Sequence, residues 1–244
     1  METSTTTRDA TPAPSIPQPA AAATTDRYDG YRNVHKALRL FMTDTLTRVG
    51  RADPADAEEV GVALTQVGEL MDLCELHVKD ENDFIHPALE RAQPGSAARI
   101  AAEHVTHLDG IADLRDLAAF TANTQGAARS AALFRLYHAL ALFVAENFEH
   151  MHFEETVHNP VLWAHYSDAE LIAIEQALVA SIPPQAMAKA LPWFVRAMNA
   201  PERVAMLTGM RAGMPAQVFE GVLEMARGVL APADHAKLVR GLAA

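Results

Sequence analysis

From Tyr28 onward, apolar side chains recur three and four positions apart, with little alternation and no Asn-Gly or similar hairpin signal, so the pattern predicts helices and no sheet. A first helix spans about Tyr28 to Val49 and stops at Gly50. Asp53 as N-cap and Pro54 as first helical residue open a second helix, which runs to about Arg91. Pro87 lies near its end, where the missing N–H should kink the helix or free one backbone bond. Gln93-Pro94-Gly95-Ser96 reads as a turn whose Ser96 caps a third helix ending near Phe120. A polar loop, Thr121 to Gly126, leads to a fourth from about Ala127 to Asn159-Pro160. Short connections force neighbouring helices to run antiparallel, so the expected fold is all-α, an up-down-up-down four-helix bundle over residues 28–166.

The flanks read differently. Residues 1–27 are Thr, Ala and Pro with almost no large apolar side chain to offset the entropy of ordering, which predicts a disordered tail. Beyond the bundle, Ser167-Asp168-Ala169-Glu170 has the form of a capping box, and short helices alternate with breaks at Pro183-Pro184, Pro201, Pro215 and Pro232. Residues 167–244 are therefore expected to form a helical C-terminal extension. Its methionines, among them Met187, Met206 and Met210, read as fillers of an irregular core rather than soft-metal ligands.

Charge narrows the partners. With 20 Lys and Arg against 31 Asp and Glu, the 244-residue chain carries a formal −11 and no clustered basic patch, which argues against nucleic acid or an anionic membrane surface. Cys74 stands alone and cannot form an internal disulfide, and neither a signal-peptide core nor a membrane-length apolar run is visible, so a cytoplasmic location is expected. The eleven histidines are distributed unevenly: only His235 lies outside the stretch from His35 to His165.

Projection at 3.6 residues per turn shows why that matters. The apolar stripe of the second helix (Val60, Leu64, Val67, Leu70, Met71, Cys74) continues through His77 and Glu81 to Phe84 and Leu89. That of the fourth (Leu136, Leu140, Phe143, Asn147) continues through His150 and Glu154 to Val157 and Val161. The first helix places His35 among Tyr31, Leu38, Met42 and Val49; the third places His104 among Ile100, Leu108, Ile111 and Leu114, with His107 beside them. Two carboxylates buried without partners would cost several kcal/mol each. Imidazole nitrogen and carboxylate oxygen together suit first-row transition metals, and two carboxylates from facing helices can bridge a pair of ions. A dinuclear centre accounts for all these residues; iron and manganese both fit the donors.

His35 in Val-His-Lys-Ala-Leu-Arg, His77 and Glu81 followed by Phe84-Ile85-His86-Pro87-Ala88-Leu89, Glu103-His104, and His150-Met151-His152-Phe153-Glu154-Glu155 occur in that order on four helices. The combined pattern, over about Tyr28 to Pro160, resembles the hemerythrin family and its branch of cation-binding hemerythrin-like proteins. The resemblance implies a non-heme centre of two iron ions, bridged by carboxylates and an oxo or hydroxo group, that takes O2, peroxide or NO. It implies His35, His77, His104 and His150 as terminal ligands and Glu81 and Glu154 as bridges. Two positions depart from the oxygen carriers: Ile100 stands where they place a second histidine, and Glu155 where they place an aspartate. The chain is thus closer to four-His, two-Glu members with redox or iron-handling roles. His107 can supply a fifth nitrogen from one turn later; Glu155 could replace Glu154, although its offset turns it off the His150 stripe. His86, His138, His152, His158 and His165 fall off the stripes or near helix ends and are expected to be exposed. Cys74 is expected to be a small buried hydrophobe. Two other readings stay open: an oxidase or oxygenase whose organic substrate sits in a pocket shaped by the C-terminal helices, and a helical interaction module.

Overall fold

The computed structural model describes residues 27–243, and every regular element among them is helical. Helices α1 (Tyr31–Arg51) and α2 (Ala57–Asp80) are followed by a π-helical turn (Glu81–Ile85) and α3 (His86–Ala92). Then come α4 (Ala98–Ala122), α5 (Gly126–Phe153), a second π-helical turn (Glu154–His158) and α6 (Asn159–His165). The extension holds α7 (Asp168–Ser181), α8 (Pro184–Ala197), α9 (Ala200–Gly213), α10 (Ala216–Val229) and α11 (Pro232–Ala243). The predicted tail lies outside the described residues except for Arg27, whose guanidinium donates to Asp168 and to the carbonyls of Trp163 and Tyr166.

Four long helices close a ring: α1 packs against α2 and α5, and α4 packs against the same two. Leu38, Met42, Leu70, Met71, Leu114, Leu136 and Leu140 fill its interior almost without solvent exposure. Each such side chain contributes roughly 1.5–3 kcal/mol of transfer free energy. None of the described helices is long and apolar enough to cross a membrane.

Several local expectations are corrected. Helix α1 does not stop at Gly50; a Cβ there would come within 2.8 Å of the Tyr137 ring, so this glycine serves close packing. Asp53 closes a turn through the Ala55 N–H, and Asp56 caps α2 by accepting from Glu58 and Glu59. Ser96 does not cap α4: its hydroxyl donates to the Leu89 carbonyl, while the Glu90 carboxylate accepts from the N–H groups of Gly95 and Ala97. Gly95, at φ 86°, supplies the left-handed residue that this turn needs.

The two π-helical turns come just before Pro87 and Pro160. A proline inside a helix lacks its N–H and collides with the carbonyl four residues back; a wide turn, bonded over five residues, makes room for the ring. The N–H of His86 reaches the Glu81 carbonyl, and that of Asn159 reaches the Glu154 carbonyl.

The capping box at Ser167 and Glu170 forms as predicted, and Pro184, Pro201 and Pro232 sit in first turns. Helices α8–α11 share their own core around Val195, Leu207, Phe219 and Leu238. The extension docks on α1 through Trp193, stacked on Phe41 at 3.8 Å, and through the ion pairs Lys36–Glu202 at 2.7 Å and Arg196–Asp44 at 3.1 Å.

Candidate metal centre

Six side chains meet between the four ring helices: His35 from α1, His77 and Glu81 at the end of α2, His104 from α4, and His150 and Glu154 at the end of α5. They form two groups of four, His35–His77–Glu81–Glu154 and Glu81–His104–His150–Glu154, and both glutamates belong to each. Within each group, one donor atom from every residue lies within 4.8 Å of the others. The carboxylate oxygens divide between the groups. Glu81 directs Oε1 to His77 Nε2 at 3.3 Å and Oε2 to His104 Nε2 at 3.2 Å. Glu154 directs Oε2 to His35 Nε2 at 3.4 Å and Oε1 to His150 Nε2 at 3.5 Å. Donors bonded at about 2.0–2.2 Å to one ion lie roughly 3.0–3.5 Å apart, so these spacings suit a pair of bound ions.

Hydrogen bonding supports a metal independently. Both oxygens of Glu81, both of Glu154, and the Nε2 atoms of His35 and His77 are buried without a hydrogen-bond partner among the described residues. The Nε2 atoms of His104 and His150 face each other at 3.2 Å. Buried polar atoms left this way are costly, and a cation supplies what they lack.

The outward nitrogens are held. His35 Nδ1 donates to Glu155 Oε1 at 3.0 Å, and Arg39 clamps that carboxylate from its other side at 2.6 and 3.0 Å. His150 Nδ1 donates to Glu103 at 2.9 Å, and His104 Nδ1 to the Asn82 side-chain oxygen at 2.9 Å. In a neutral ring such bonds hold the proton on Nδ1 and aim Nε2 inward.

Electrostatics points the same way. Burial pushes His77 down to about 4 and His150 down to about 3, so both are neutral and ready to coordinate near neutral pH. Burial, then the neighbouring Glu81, holds the Glu154 carboxyl well above the usual range. Burial also acts to raise Glu81, but the imidazoles of His77, His104 and His35 outweigh it and hold it low. Two carboxylates this close cannot both ionise in a dry site without added positive charge.

The model of the hemerythrin HHE cation-binding domain matches residues 26–162. The chain belongs to the hemerythrin HHE cation-binding family. No curated protein and no solved structure matches it. The family match covers the ring and its six inward residues, and ends before the extension begins.

Other residues singled out in the sequence sit at the margin of this hemerythrin-like centre. His107 is buried but outside both groups, its ring 4.5 Å from that of His150 and packed near Phe143. It occupies the inward position expected for Leu108, which is exposed. Glu155 backs His35 from outside both groups, and Cys74 is buried, its thiol pushed up to about 12 by burial. The expectation that His86 and His158 are exposed is overturned: they are 8% and 0% exposed. Their Nε2 atoms have no hydrogen-bond partner, while Tyr31 Oη lies 3.4 Å from His158 Nδ1. The wide turns shift the helical phase, so His86 and His158 face inward while Val157 turns out. A proline one residue after His86, and two after His158, was the available signal.

Proposed function

We propose that the chain is a non-heme dinuclear iron protein that takes O2, or peroxide or NO, at a centre bridged by Glu81 and Glu154. On this reading the closed ring of α1, α2, α4 and α5 is the family's up-down-up-down bundle, with residues 167–244 attached to it. The observation that carries the proposal is the division of the two carboxylates between two histidine pairs, His35 with His77 and His104 with His150.

Each group offers two imidazole nitrogens and two shared carboxylate oxygens, fewer donors than an octahedral ion accepts, which leaves room for a small ligand. Iron held there by these residues would supply reversible electron transfer and Lewis acidity. The chain supplies the rest. Glu155, Glu103 and Asn82 fix three imidazoles, and Leu38, Met42 and Ile111 keep water from the inner side. Equal nitrogen donation to both groups, without the second helix-three histidine of the carriers, favours redox chemistry over carriage alone.

Anaerobic loading with Fe(II), metal analysis and exposure to air test this. About two irons per chain and new near-ultraviolet absorption that appears only with air are expected. Fewer than about two irons, or a spectrum indifferent to air, would overturn the proposal.

A further inference from the structure

The extension encloses a second feature. Between α7–α9 and helices α1 and α2 lies a cavity of about 420 Å3, within the roughly 300–1,000 Å3 of small-molecule sites. Its wall is mostly aliphatic and thioether, with Leu178, Ile182, Met187, Met206, Met210 and Met214 from the extension, and includes the rings of Tyr28, Tyr31 and Phe194. The methionines expected only to fill a core therefore line a space, and flexible thioethers adapt to varied apolar shapes. At its bundle end the wall includes His77 and Glu81, so the cavity borders the metal centre.

The few polar groups on this wall select a head group. Asp80 Oδ1 and Asn33 Oδ1 are buried oxygens without a hydrogen-bond partner. Asp80 is only 5% exposed, and none of the described residues donates to this oxygen, which a bound donor would satisfy. Glu175 adds a third acceptor-bearing side chain, and among the described residues that line the cavity there is no lysine or arginine. A buried anionic head would meet carboxylates and no cation.

We infer that this cavity binds an aliphatic molecule whose single polar head donates hydrogen bonds, an alcohol or an amine and not a carboxylate, beside His77 and Glu81. Binding stands on the cavity itself; its coupling to the centre rests on the function proposed above. The site gives the extension a purpose: without α7–α9 the cavity would be an open apolar face of the bundle.

Calorimetric titration of the full chain, metal-free and iron-loaded, with 1-dodecanol, dodecylamine and dodecanoate tests the assignment. Saturable binding of the alcohol or the amine, with the carboxylate at least about tenfold weaker, is expected; which of the two binds tighter identifies the head. Leu178→Trp and Met210→Trp fill the space from two helices and should each weaken binding about tenfold or more, with helix content and metal content unchanged. Should both variants misfold, the wild-type series from hexanol to hexadecanol decides: affinity that rises and then stalls marks a bounded cavity. A continuous rise, equal binding of dodecanoate, no binding of either donor-headed chain, or binding untouched in both folded variants overturns the site. In the iron-loaded protein the bound chain should shift the visible absorption, and binding without any shift overturns the placement beside the centre. A chain that binds dodecanol but takes up no iron refutes the proposed function and leaves this site standing.

Discussion

Replacing Glu154 by Gln separates the metal from the fold. Both Glu154 oxygens lack hydrogen-bond partners among the described residues and face imidazole nitrogens of different groups at 3.4 and 3.5 Å, so the amide replaces one oxygen by a non-coordinating NH2 and leaves the other uncharged, at nearly constant shape. In the metal-free protein this should cost nothing, because the carboxyl is held high by burial and by Glu81, and its ionisation opposes folding. A folded-state value above the ordinary 4.5 means that metal-free wild type loses stability as pH rises from about 4.5 through the raised value; the variant lacks that slope. With metal the order reverses. An ion at one hundred times its dissociation constant adds about 2.7 kcal/mol, and two add about 5. For a chain of this size each kcal/mol moves Tm by about 2–4 °C, so wild type should gain roughly 10–20 °C on loading and the variant only a small part of that. Circular-dichroism melts in chelator and in anaerobic Fe(II) measure both effects. A variant that keeps the full metal-dependent rise, or whose metal-free form is less stable by about 3 kcal/mol, as expected for breaking a buried pair that held the fold together, would refute a metal-holding role for Glu154.

Glu155→Gln should weaken metal affinity about 10–100-fold in a chelator competition, since His35 loses the carboxylate that orients it and Arg39 loses its partner. His107→Phe should leave metal stoichiometry intact, because the ring lies outside both donor groups; a lost ion in metal analysis would make His107 a ligand. Burial raises the Glu175 carboxyl, so Glu175→Gln should stabilise the protein at pH 7 against denaturant, with the gain vanishing below about pH 4.5, where the wild-type side chain is protonated in both states. Trp193→Ala should cost about 3 kcal/mol in chemical unfolding by removing the stack on Phe41 that ties α8 to α1.

Helical period alone placed His35, His77, Glu81, His104, His150 and Glu154 on inward stripes, and the structure brings these six together because α-helical phase holds from each helix start to its glutamate. Past Glu81 and Glu154 the same projection holds for Leu89 but fails elsewhere. Phe84 and Val157 are not the buried positions; His86, His158 and Asn159 are, since each wide turn adds phase that a 3.6-residue period omits. His107 in place of Leu108 is a smaller miss of the same kind, one position of rotation on a helix with polar residues on both sides. The cavity was illegible for another reason: methionines that line a space and methionines that fill one share the same spacing, and only the docking of α8 on α1 decides between them.

Those wide turns also explain the symmetry of the centre. His77, Glu81, His86, Pro87 and Leu89 repeat at the same spacing as His150, Glu154, Asn159, Pro160 and Leu162. In each copy the residue before the proline bonds the glutamate carbonyl, so a proline fixes the wide turn and the wide turn begins at the carboxylate shared by both groups. Each copy supplies one histidine and one glutamate, while α1 and α4 supply a single histidine each. Every group therefore combines one histidine of a copy, one lone histidine and both glutamates. The lone histidines are also backed alike: His35 stacks on Tyr31 at 5.0 Å and His104 on His86 at 4.9 Å. His86 reaches that position only because the first wide turn rotates it inward, so the turn that precedes Pro87 also places the ring that supports a histidine of the second group.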